Sequence, residues 1–213
     1  VKPWIIAALT VTAMAAGAGL YLYRDSAPPQ APEPPLAEPA PARLVATLPT
    51  FHLQDRDDRP RSLQNWPDKA LIVNFWATWC APCRREIPLL AKLQREYGPE
   101  GFQVVGIAVD FRDKVLAYAD QMNIQYPLLI GEQDGLDAAA SFGVEAVGFP
   151  FTVFSDRRGR IVAAHLGELT EDQAVLILDA VRAVNEGRET PESARTGLEK
   201  ALAALPAAPS AED

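Results

Sequence analysis

Cys80 and Cys83 are the only cysteines in the 213-residue chain, and they stand three positions apart. A loop that short cannot staple a fold, so the pair reads as redox chemistry or as half of a metal site. Only two histidines, His52 and His165, are present to complete such a site, which leaves few nitrogen ligands for zinc. The surrounding sequence is Trp76-Ala77-Thr78-Trp79-Cys80-Ala81-Pro82-Cys83-Arg84-Arg85-Glu86. An apolar run precedes the cysteines and a helical pattern follows them. A cysteine at the start of a helix meets unpaired N–H groups and the positive end of the dipole, and both stabilise a thiolate. Cys80 is therefore the expected nucleophile. Cys83, one turn further on, is the expected resolving thiol. Pro82 is tolerated because its missing N–H is not needed in the first turn.

Glu86, Leu90, Leu93 and Tyr97 fall on one stripe of that helix, the stripe expected to face a sheet. A carboxylate heading an apolar stripe is costly unless it has a task or a partner. Cys83 and Glu86 are helical neighbours at i and i+3, which places Glu86 to trade a proton with the resolving thiol. Burial raises such a carboxyl toward the working pH range. The plainer alternative is a surface acid paired with Arg85 or Lys92. Pro88 lies inside the helix and is expected to kink it. A second constellation is Val147-Gly148-Phe149-Pro150-Phe151-Thr152. A proline just before a buried strand removes a ladder donor, and a cis Phe149–Pro150 bond accounts for its placement.

The elements that must position these residues are legible as patterns. Strands are expected around Phe51 and Leu53, over 70–76, 102–109 and 126–130, and as a hairpin of 151–154 with 161–166 around the turn SDRRGR. Helices are expected over 80–97, 113–122, 136–142 and 169–186, the last N-capped by Thr170. This alternation predicts an α/β fold with parallel central strands and late antiparallel ones. The globular domain is bounded at 43–188. An Ala/Pro-rich tail, 189–213, follows it, with room for a short helix over 191–204.

Residues 4–23 carry no charge, which at about 1.5 Å per residue just crosses a hydrocarbon core of about 30 Å. Trp4, Tyr21 and Tyr23 mark its ends, and Lys2 precedes it. Segment 1–25 therefore reads as a transmembrane anchor with the rest of the chain outside the membrane. A cleaved signal peptide, cut after small residues such as Ala15 or Ala18, is the alternative. Seven of the 17 residues in 26–42 are proline. That composition makes an extended linker reaching on the order of 50 Å. The net charge of −8 repels phosphate backbones and excludes nucleic-acid binding.

With these residues in view, the chain resembles the thioredoxin superfamily, in its TlpA/ResA/CcmG-like membrane-anchored branch. The resemblance spans roughly 49–186 and rests on W-x-x-W-C-A-P-C, Pro88 and the setting of Pro150. It implies a thioredoxin-like fold, a four- to five-stranded mixed sheet flanked by helices, with cis-Pro150 facing Cys80. It implies a thiol-disulfide oxidoreductase whose catalytic residues are Cys80, Cys83 and Glu86. Substrate contacts fall on Trp79, Ala81, Pro82, Phe149 and Pro150, with the Phe149 backbone pairing with the substrate strand. Asn74 stands where ordinary thioredoxins carry a buried aspartate, which shifts acid–base work to Glu86. Phe149 is bulkier than the threonine common at that place. The resemblance further implies protein disulfide substrates such as apocytochrome c or copper-site cysteines. It implies a membrane electron donor of the DsbD/CcdA type, and a domain on the periplasmic side of the inner membrane. No cofactor and no metal is expected. Ala-Pro between the cysteines lacks the histidine of strongly oxidising relatives, which favours a reductant. Two rivals stand beside this reading. One is a copper metallochaperone using both thiols, with His165 as a further ligand. The other is a thiol peroxidase, because the Phe51 region also resembles peroxiredoxins.

Overall fold

The structure, a computed structural model, describes residues 44–143 and 148–205. The expected anchor, the proline-rich linker, Val147 and the last eight residues of the tail lie outside the described residues. Among the described residues no helix is long and apolar enough to cross a membrane.

Seven strands form one sheet: β1 (Leu53–Asp55), β2 (Pro60–Arg61), β3 (Ala70–Trp76), β4 (Phe102–Val109), β5 (Leu128–Gly131), β6 (Phe151–Ser155) and β7 (Ile161–Leu166). Their order across the sheet is β2-β1-β5-β4-β3-β6-β7. β3, β4 and β5 run parallel, and β1, β6 and β7 join antiparallel to their neighbours. This is the expected mixed sheet, enlarged beyond four or five strands by the short β1–β2 hairpin. Among the described residues the α-helices are, in chain order, α1 (Ala81–Tyr97), α2 (Arg112–Gln121), α3 (Gln133–Ala140), α4 (Glu171–Asn185) and α5 (Pro191–Ala203).

Every residue of β3 is buried, as a continuous apolar run in a central strand requires. Successive side chains alternate between the sheet's two faces. Ile72 and Trp76 join one core with Leu90, Leu93, Ile177 and Val181 of α1 and α4. Leu71, Val73 and Phe75 join the opposite core, with Phe142 and Phe151. There the Phe75 and Phe151 rings stack with centroids 4.3 Å apart. Asn74 shares the α1 face, where it is the polar exception.

Two boundaries differ from the sequence expectation. α3 begins about a turn earlier than Leu136, because the Asp134 carboxylate accepts from the Glu132 and Gly135 N–H groups and starts the helix there. α5, which the sequence places in a tail, packs on the body. Ala194 and Leu198 are buried in the same core as α4. Arg195 also donates to the Ile161 and Val162 carbonyls of β7. The body therefore continues well past Arg188.

Candidate active site

The redox pair sits where parallel β3 hands over to α1. Cys80 is the N-cap, with extended backbone, and its Sγ accepts the Cys83 N–H at 3.2 Å. The two sulfurs are joined in a disulfide. Cys80 is 5% exposed and Cys83 fully buried. Of the two residues Cys80 lies nearer the surface. Ala81 is exposed and Pro82 half-buried in the first turn. α1 is continuous through Pro88, whose ring lies on the exposed face.

The loop ahead of the cysteines is held by a residue the sequence reading passed over. Asp110, just past the end of β4, accepts from the backbone N–H and the hydroxyl of Thr78, and its other oxygen accepts from Phe111 N–H at 2.7 Å. A lone acid closing an apolar strand was the available signal. Its contact with Thr78 comes from the parallel pairing of β3 with β4 and was not visible in the sequence.

Next to Cys80, Trp79 is 66% exposed, and its ring lies 6.1 Å from that of Phe149. The Phe149–Pro150 peptide is cis. The Pro150 carbonyl accepts the Gly167 N–H at 2.9 Å, which ties this loop to the end of β7. Trp79, Phe149, Phe111, Leu136 and Glu132 line an open groove of about 420 Å³. Phe111 and Leu136 are themselves exposed. Neither was singled out in the sequence, because an isolated exposed apolar side chain carries no pattern.

Behind the pair lies Glu86, 2% exposed on the inner face of α1. It pairs with neither Arg85 nor Lys92, whose partners are Glu168 and Glu171. Glu86 Oε1 accepts from Asn74 Nδ2 at 2.6 Å, and Oε2 accepts from the Leu169 N–H at 3.0 Å. Burial raises its carboxyl to about 7, against the pull of those two hydrogen bonds. Asn74 Nδ2 also donates to Thr152 Oγ1 at 3.0 Å. His165 is the cross-strand partner of Thr152. Its Nε2 lies 3.3 Å from the Glu168 carbonyl, and burial lowers its pKa. Near neutral pH this site can store one proton on a buried carboxyl beside a buried sulfur.

Residues 45–174 match the AhpC/TSA family. The thioredoxin-like protein YneN of Bacillus subtilis is 34% identical over 62% of this chain and 76% of that protein. The thiol-disulfide oxidoreductase ResA of Halalkalibacterium halodurans is 27% identical, over 66% and 78% of the two chains. A crystal structure of a thioredoxin-family thiol:disulfide interchange protein from Chlorobium tepidum superposes with a TM-score of 0.57 at 30% identity. It covers 67% of this chain and 99% of that one.

Proposed function

The chain belongs to the AhpC/TSA family of thioredoxin-like proteins, and from that membership we propose that Cys80 and Cys83 are its working dithiol. The protein is a thiol-disulfide oxidoreductase. The observation that carries the assignment is the disulfide at the N-terminus of α1 between Cys80, 5% exposed, and Cys83, fully buried.

In the reducing direction the Cys80 thiolate attacks a disulfide of a partner protein. A Cys80–partner bond forms, and one partner sulfur leaves as thiolate. Cys83 then gives its proton to Glu86, and its sulfur attacks Cys80. The Cys80–Cys83 disulfide closes, the second partner sulfur leaves, and two electrons have passed to the substrate. Trp79, Ala81, Pro82, Phe149 and Pro150 border the approach to Cys80. The groove beside them suits an extended cysteine-bearing segment with apolar neighbours.

The setting proposed for this chemistry is the outer face of a bacterial inner membrane, with 1–25 as anchor and 26–42 as spacer. A DsbD/CcdA-type membrane carrier would return the electrons. Apocytochrome c or copper-site cysteines are the proposed clients. The copper and peroxidase readings are not favoured. His165 turns to the Glu168 carbonyl, and the relatives carry oxidoreductase names.

The test is insulin reduction by the purified protein with dithiothreitol as electron source. Activity should vanish in Cys80→Ser, and Cys83→Ser should accumulate mixed disulfides with its clients. Turnover persisting in Cys80→Ser, or tight copper binding without any disulfide reduction, would overturn the reading.

A further inference from the structure

Three polar residues line up across the sheet beneath α1. Asn74 of β3 pairs with Thr152 of β6, and Thr152 pairs with His165 of β7. Directly paired residues share a face, so all three point toward the helix that carries Glu86. Asn74 is wholly buried and Thr152 likewise. The Asn74 amide uses one end only: Nδ2 donates to both Glu86 Oε1 and Thr152 Oγ1, while Oδ1 has no partner among the described residues. A buried amide oxygen without a donor is costly, and here it sits on the residue that contacts the proton-carrying carboxyl.

The arrangement satisfies one protonation state of Glu86 and not the other. An ionised carboxylate is acceptor-only and matches an amide N–H. A protonated Oε1 becomes a donor and needs an oxygen opposite it. Thr152 can change role in the same way, because its hydroxyl both accepts and donates. We propose that Asn74 is a positioning residue whose amide turns over with each proton Glu86 gains or loses, donating Nδ2–H to the carboxylate and accepting at Oδ1 from the acid. In the second orientation the Glu86 Oε1–H and the Thr152 Oγ1–H both donate to Oδ1. No proton passes through the amide. It arrives from Cys83 and leaves the same way or to solvent, and the amide offers Glu86 a partner in both of its states.

The remaining groups around Glu86 leave this task to Asn74. The Leu169 N–H can only donate. Glu168, held by Arg85, is a nearby negative charge that raises the Glu86 pKa. Tyr126 is a buried phenol pushed well above its usual range by burial first and then by Glu86. His165, its pKa lowered by burial, faces the Glu168 carbonyl. Cys83 lies one turn back on α1.

The inference rests on Glu86 as proton carrier but is tested on the oxidised protein without substrate, so it can fail while disulfide reduction survives. In a pH titration by NMR, the Asn74 side-chain amide signals should move with the same midpoint as the Glu86 carboxyl. Glu86→Gln should lock the amide in its acid-state orientation, since the glutamine Nε2 donates to Oδ1. Its Asn74 signals should then match the low-pH wild type at every pH. Asn74→Leu removes a charge-assisted bond from the carboxylate and a weaker one from the acid. The Glu86 midpoint should rise by about half to one pH unit. Asn74 signals that stay put through the Glu86 midpoint would overturn the proposal. So would an unchanged midpoint in a folded Asn74→Leu protein.

Discussion

Two buried carboxylates flank the redox motif, and they are built differently. Asp110 lies ahead of it, with three donors from Thr78 and Phe111. Glu86 lies behind it, with two donors from Asn74 and Leu169. Two of the three Asp110 donors are backbone groups of residues that begin a loop or a helix, so its hydrogen bonds anchor chain direction. Glu86 faces an amide that can accept as well as donate, and its desolvation outweighs its hydrogen bonds. A buried acid is therefore a fastener when fixed donors saturate it. It is a proton store when its donors are few and one of them can change role.

The largest effect that can break this comparison is expected at the fastener. Asp110→Ala leaves the Thr78 and Phe111 donors unpaired and should cost about 2–4 kcal/mol in urea unfolding. The midpoint of the pH–rate profile should stay where it was. A stable Asp110→Ala protein, or one with a moved midpoint, would erase the distinction.

The next effect concerns the store. Glu86 titrates at about 7 when folded and near 4.5 as a free side chain. The folded state therefore binds more protons across that window, and stability falls as pH rises through it. The stabilisation is fully present below about 4.5 and lost by about 7, a change of about 3 kcal/mol. Glu86→Gln should abolish this slope in denaturant melts taken at several pH values. It should also slow disulfide exchange about 10²-fold and flatten that limb of the rate profile. A slope that persists in Glu86→Gln assigns the titration to another group.

Smaller effects sharpen the picture around Leu169. The Thr170 hydroxyl caps α4 by accepting from Gln173 N–H. Thr170→Ala should cost about 1 kcal/mol of stability and shift the Glu86 midpoint slightly upward as the Leu169 N–H loosens. Smallest of all, Arg85→Ala breaks a solvent-screened pair with Glu168. It should leave stability unchanged within the error of a urea melt. A larger loss would mean that this surface pair, and not the buried contacts, fastens α1 to the end of β7.

Much of the fold was legible because its signals are local. The seven-residue apolar run of β3, Thr170 ahead of an amphipathic helix and the turn between β6 and β7 all appear as the patterns require. The start of α3 was misplaced because the Asp134 carboxylate and its backbone donors lie in a segment without apolar periodicity. α5 was set aside because its few apolar residues become a face only when α4 is beside them. Phe111 and Leu136 were missed for a related reason, since a groove wall drawn from separate helices has no sequence spacing.

By itself, the order of residues determined which sulfur starts the helix, which is one turn behind it, and that Glu86 stands three residues beyond. These are relations within one helix, fixed by its repeat. Tertiary structure alone decided what Glu86 touches, because its partners lie 12 residues back at Asn74 and 83 residues on at Leu169. Whether that carboxyl is charged depends on the water excluded and the donors supplied by those distant segments, and chain folding alone brings them to it.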